Sequence, residues 1–178
     1  MSIPNYLTLL RILLTPVFFI ALISYGPGKE HLRFFALAIF ALAAVTDALD
    51  GLLARYLRQR TELGRLLDPL ADKVLLLSGF IGLFFVSALP YKPPLWITIT
   101  IIFRDVFLLV GFFSLHFLSA KIAVSPNRWG KMTTLCQMLL LCFILLELPL
   151  VLPVAYLTVF FTIISGVIYI SKGLKVIE

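Results

Sequence analysis

The sequence predicts an all-α integral membrane protein with six transmembrane helices and both termini in the cytoplasm. Three observations carry this. The chain has 178 residues, of which 61% are hydrophobic and 13% charged, whereas soluble domains average roughly 45–50% apolar and about 25% charged. Its mean hydropathy is +1.07. One core of this size cannot hide so much apolar surface from water, so the solvent is lipid. Six apolar stretches approach the roughly 20 residues that a crossing needs, and the basic residues outside them fall mostly on one side.

Each span has its own punctuation. The first, residues 6–25, is closed by Gly26-Pro27-Gly28. It starts almost at Met1, carries Arg11 and lacks a small-residue cleavage site, so it reads as a span rather than a cleaved signal. The second and third cover 31–55 and 64–89, and Pro90, Pro93 and Pro94 separate the third from the fourth, 95–118. Residues 119–131 are polar, a loop or an interfacial helix. Pro149 and Pro153 break a long apolar run into spans 132–148 and 151–171. With the N-terminus inside, nine basic residues are cytoplasmic (Arg55, Arg58, Arg60, Arg65, Lys121, Arg128, Lys131, Lys172, Lys175) and three lie opposite (Lys29, Arg33, Lys92), the positive-inside pattern. Residues 1–178 read as a single membrane domain. The net charge of +6 fits anionic lipid head groups, and no nucleic-acid partner is expected. Cys136 and Cys142 lack metal spacing and imply no disulfide framework.

The carboxylates are misplaced for a merely structural membrane bundle. All five aspartates, Asp47, Asp50, Asp68, Asp72 and Asp105, fall inside predicted spans. Each costs at least about 2.5–3.5 kcal/mol near the bilayer centre. Asp47 and Asp50 are three apart and Asp68 and Asp72 four apart, so each pair shares a helix face. A short loop makes the second and third spans antiparallel neighbours, which lets the four carboxylates converge. Such a density of hard oxygen ligands suits Mg²⁺, Mn²⁺ or Ca²⁺. The two histidines, His31 and His116, sit at span ends and suggest no zinc site. Two other readings compete. One is a set of salt bridges, Asp72 with Lys73, Asp105 with Arg104, and Asp47 or Asp50 with Arg11; against it, adjacent residues on a helix point apart. The other is a divalent-cation transporter, whose pathway also needs carboxylates in the membrane.

The run Asp47-Ala-Leu-Asp50-Gly51-Leu-Leu-Ala54-Arg55, followed after eight residues by Gly64 and then by Asp68 and Asp72, resembles the signature of the CDP-alcohol phosphatidyltransferase family, D-x2-D-G-x2-A-R-x8-G-x3-D-x3-D, at every position. The chain length and the six spans resemble that family too. The resemblance implies an enzyme that moves a phosphatidyl or similar group from a CDP-linked donor, here CDP-diacylglycerol, to an alcohol and releases CMP. It implies that Asp47, Asp50, Asp68 and Asp72 hold a pair of Mg²⁺ or Mn²⁺ ions, that Asp72 is also the general base, and that Gly51, Ala54, Arg55 and Thr61 line the CDP-lipid site. It further implies a homodimer in the cell inner membrane, with its active site facing the cytoplasm.

The opening Pro4-Asn5-Tyr6-Leu7-Thr8-Leu9-Leu10-Arg11 resembles that of two bacterial branches of the family, one with glycerol 3-phosphate and one with phosphatidylglycerol as acceptor. Asn5 and Thr8, with Arg11, border the donor pocket in this reading; a helix cap is the plainer role for Asn5. Arg104 lies about 18 Å from the His116 end of its span, too deep to reach the surface easily. Its two readings are a carboxylate partner and an anion site for a phosphorylated acceptor. Lys131 and Thr134 share a helix face and could complete such a site, within a Gly-Lys…Thr…Gln pattern ending at Gln137. Glycerol 3-phosphate is the simplest acceptor. The absence of a second basic residue between Arg104 and Leu115 is more like the phosphatidylglycerol-using branch.

Overall fold

A computed structural model describes the backbone of residues 3–56, 62–117 and 128–177. It is all-helical among these residues, with six helices: α1 (Ile3–Ile23), α2 (Glu30–Tyr56), α3 (Glu62–Phe85), α4 (Leu95–Phe117), α5 (Arg128–Leu145) and α6 (Val151–Ile177). Among the described residues three stretches, Tyr6–Ile23, Leu95–Ser114 and Val151–Ser171, are long and apolar enough to cross a membrane. Large apolar side chains stand outward along the helices, among them Leu13, Phe35, Phe103, Val110 and Phe160, each more than half exposed. Water would not tolerate such a surface on a monomer, whereas lipid matches it. The chain divides into two compact units, Met1–Leu89 and Pro90–Glu178.

In the first unit α1 packs on both α2 and α3. Its Phe18 meets Phe40 of α2 with ring centroids 5.5 Å apart, and its Phe19 meets Phe85 of α3 edge to face at 6.4 Å. Gly82 of α3 permits the closest approach: a Cβ there would stand 2.6 Å from Leu22 Cδ2. Among the described residues α1 is the shared partner of α2 and α3. The turn after α1 uses Gly28 at φ 78°, a conformation that favours glycine. It is pinned by Arg33, which lies 3.6 Å from Glu30 and 4.8 Å from the Phe34 ring, while the Tyr25 hydroxyl donates to Glu30.

In the second unit α6 packs on both α4 and α5. Hydroxyls line the α5–α6 seam. Thr133 Oγ1 is shared between the carbonyls of Trp129, at 2.9 Å, and Phe161, at 3.0 Å; Thr158 Oγ1 reaches the Cys136 carbonyl at 3.3 Å. Small polar residues let membrane helices approach and bond across the contact. The end of α5 is a Schellman-type cap: the amide of Leu148 donates to the Phe143 carbonyl and that of Glu147 to Ile144, both at 3.0 Å, with Glu147 left-handed at φ 55°. Pro149 follows at once, as is common after such a cap.

Candidate active site

Arg11 is the centre of the first unit's polar end. It projects from an otherwise apolar α1 and is 0% exposed. A guanidinium keeps its charge and must be neutralised when it is taken out of water. Two carboxylates do this. Asp47 Oδ1 of α2 is 3.0 Å from Arg11 Nη1, and Asp72 Oδ1 of α3 accepts a hydrogen bond from the same nitrogen. The packing of α1 on both helices is what allows one side chain to reach both. Arg11 Nε and Nη2 have no hydrogen-bond partner among the described residues.

The two aspartate side chains remain 36% and 28% exposed. Among the described residues one guanidinium faces two partly exposed carboxylates. A place where two hard oxygen donors from separate helices already converge on one cationic group fits a hard divalent cation. Among the described residues no group of three or more acidic, histidine or cysteine side chains is assembled for a metal. Asp50 and Asp68 lie on α2 and α3, one turn from Asp47 and Asp72, and their side chains are outside the described residues.

The remaining expected donor-site residues distribute as follows. Thr8 lies on α1 one turn before Arg11 and is fully buried. Asn5 lies on α1, and Gly51, Ala54 and Arg55 lie on α2; nothing further is described of their side chains. Thr61 lies outside the described residues.

The second unit contains a buried arginine, Arg104. Arg104 Nη1 donates to Asp105 Oδ1 at 2.7 Å, and its Nη2 donates to Ser165 Oγ of α6. This corrects the expectation that adjacent residues on one helix pair poorly: the long guanidinium arm folds back onto its neighbour's carboxylate, which is 0% exposed. Gly130 backs onto the pair, since a Cβ there would stand 3.8 Å from Arg104 Nη2 and 3.6 Å from Ser165 Oγ. Thr134 bonds the Gly130 carbonyl at 3.2 Å, and Lys131 is exposed. Gln137 is fully buried, with neither amide atom hydrogen-bonded among the described residues. Ser165 was missed in the sequence. Its signal was the α6 stripe Thr158, Thr162, Ser165 at helical spacing, all of it buried.

A family model for CDP-alcohol phosphatidyltransferases matches residues 1–168, and the chain belongs to that family of transferases. It is 37% identical to a probable phosphatidylglycerophosphate synthase of Mycobacterium tuberculosis, over 98% of this chain and 82% of that one. It is 34% identical to the CDP-diacylglycerol–glycerol-3-phosphate 3-phosphatidyltransferase of Bacillus subtilis, over 99% of this chain and 97% of that one. A CMP-forming cardiolipin synthase of Streptomyces coelicolor is 39% identical over 62% of this chain and 49% of its own length.

Proposed function

We propose that the chain transfers the phosphatidyl group of CDP-diacylglycerol to glycerol 3-phosphate, giving phosphatidylglycerophosphate and CMP. The observation that carries this is the convergence of Asp47 and Asp72, the first and last aspartates of the family's signature, on Arg11. The full-length similarity to a glycerol 3-phosphate-using relative supports the choice of acceptor.

In this reading an acceptor hydroxyl attacks the phosphorus that bears the diacylglycerol. The bond from that phosphorus to the bridging oxygen breaks, and CMP departs with the electron pair. Asp72 takes the proton from the attacking hydroxyl, a transfer worth about 10²–10⁴-fold in rate. Asp47, Asp50, Asp68 and Asp72 would hold Mg²⁺ or Mn²⁺, which when bound supplies positive charge to the phosphate oxygens. Arg11 holds Asp47 and Asp72 on adjoining helices within reach of one another. Asn5, Thr8, Gly51, Ala54, Arg55 and Thr61 are the proposed contacts to the CDP-lipid. In the second unit, Arg104, Lys131 and Thr134 are the proposed contacts to the acceptor's phosphate.

The setting proposed is a single membrane domain of six crossings in the inner membrane. Its termini and site face the cytoplasm, and it assembles as a homodimer. Phosphatidylglycerol is the second candidate acceptor. It is favoured by the cardiolipin synthase relative and by the lack of a second basic residue between Arg104 and Leu115.

The test is CMP release by the purified protein with CDP-diacylglycerol and Mg²⁺, with glycerol 3-phosphate, phosphatidylglycerol or no acceptor. Release that requires glycerol 3-phosphate is expected. Release only with phosphatidylglycerol overturns the acceptor, and no release with either overturns the transferase assignment in favour of ion transport.

A further inference from the structure

Arg11 meets its two aspartates through a single nitrogen. Nη1 lies 3.0 Å from Oδ1 of Asp47 and also bonds Oδ1 of Asp72. A guanidinium often grips a carboxylate with two parallel N–H groups, the stronger arrangement. Here Nε and Nη2 have no hydrogen-bond partner among the described residues. The group therefore acts on the pair end-on, as a point charge more than as a fork.

It acts from the inside. The Arg11 side chain is 1% exposed, whereas both aspartates are partly open to solvent. Its backbone carbonyl accepts from Thr15 at 2.9 Å, and Thr8, one turn earlier, is fully buried. A guanidinium in this position cannot shed its charge. A divalent ion that reaches the open side of Asp47 or Asp72 thus finds carboxylates already held by a fixed cation. With metal–oxygen bonds of about 2.1 Å, such an ion stands within about 7 Å of Nη1. Like charges at that separation, shielded from water on one side, repel appreciably.

We propose that Arg11 is a resident counterion that opposes the divalent ion at Asp47 and Asp72: it lowers the ion's affinity, and it joins α1, α2 and α3 without needing the ion. This rests on the reading that these carboxylates hold Mg²⁺ or Mn²⁺, and not on the reaction they serve. Both effects follow from one charge. Removing it leaves carboxylates from two helices to be neutralised, with Asp50 and Asp68 one turn away on the same helices. A divalent ion then takes over that task, and folding comes to depend on it. A residue that merely oriented the carboxylates for the ion has the opposite sign, since its loss weakens metal binding, typically by about 10–100-fold.

The experiment reads Mn²⁺ binding by electron paramagnetic resonance on the full chain in detergent, without lipid substrate. Thermal midpoints are taken with a chelator and with excess Mn²⁺. Arg11→Met and Arg11→Gln remove the charge, and Arg11→Lys keeps it. Both neutral variants are expected to bind Mn²⁺ at least about tenfold more tightly than the unaltered chain, and Arg11→Lys to stay within about threefold of it. The midpoints of the neutral variants should rise with Mn²⁺ by more than that of the unaltered chain. A neutral variant that folds only with Mn²⁺ also upholds the proposal. Equal or weaker binding by the neutral variants overturns it, and so does failure of both to fold even with Mn²⁺. Tightening in Arg11→Lys as large as in Arg11→Met overturns it as well, because charge would not be the cause. Asp47→Asn is expected to weaken Mn²⁺ binding. Binding indifferent to Asp47→Asn, or absent from the unaltered chain and the neutral variants alike, overturns the ion-site reading itself and the proposal with it.

Discussion

Two buried arginines, Arg11 in the first unit and Arg104 in the second, are neutralised in opposite ways. Arg104 is answered at home. Its carboxylate is the next residue, its second contact is a neutral hydroxyl, and both members of the ion pair are buried, at 8% and 0%. The pair is local and buried, and breaking a buried pair of this kind is costly. Arg11 is answered from two other helices, by Asp47, 36 residues away, and Asp72, 61 residues away. Its carboxylates outnumber it and stay partly exposed. The comparison teaches that buried arginines are neutralised either by a neighbour in sequence or by carboxylates brought from other helices, and that the exposure of the partners differs with it.

The sharpest way to break this comparison is to neutralise one carboxylate in each unit. Asp72→Asn is expected to lower CMP release by about 10²–10⁴-fold. Its thermal midpoint should fall by no more than the roughly 2–4 °C that 1 kcal/mol moves a domain of this size, because Arg11 keeps Asp47. Asp105→Ala should act first on stability. It strands Arg104 in the interior at a cost of about 3–5 kcal/mol, read as loss of folded protein on size exclusion and a midpoint lower by many degrees. Equal loss of stability in the two variants would erase the distinction. A smaller effect compares the two close glycines. In Gly82→Ala the new methyl meets Leu22, which is 1% exposed and has nowhere to go. Overpacking of about 1–3 kcal/mol outweighs the gain in helix propensity of about 1 kcal/mol, so the midpoint drops by a few degrees. In Gly111→Ala the nearest atom, 2.7 Å away, is the Tyr169 hydroxyl at the tip of a half-buried ring. The ring can swing aside, and the midpoint should hardly move.

Apolar run length and proline punctuation located all six helices, because in lipid every backbone polar group must be satisfied within its own segment. The residual differences have physical causes. α5 begins at Arg128 and α6 runs to Ile177, beyond the predicted 132 and 171, because a helix continues through polar residues that a bilayer crossing does not include. α3 stops at Phe85 rather than 89, ahead of Pro90, whose ring disfavours helical geometry in the residue before it. The aspartate motif was legible because spacing of three and four is a one-dimensional property. The pairs Asp47 with Arg11 and Asp105 with Arg104, named in the salt-bridge reading, are present. That Arg11 would also take Asp72 depends on α1 serving both helices, which helical periodicity does not contain.

The central claim is that the open carboxylate cluster around Arg11 carries the chemistry. Its most direct test is glycerol 3-phosphate-dependent CMP release from CDP-diacylglycerol by Asp72→Asn, measured per mole of protein that elutes and melts as the unaltered chain does. The account predicts a rate at or below about one hundredth of the unaltered protein's. A rate equal to that of the unaltered protein would contradict it and remove Asp72 from the reaction.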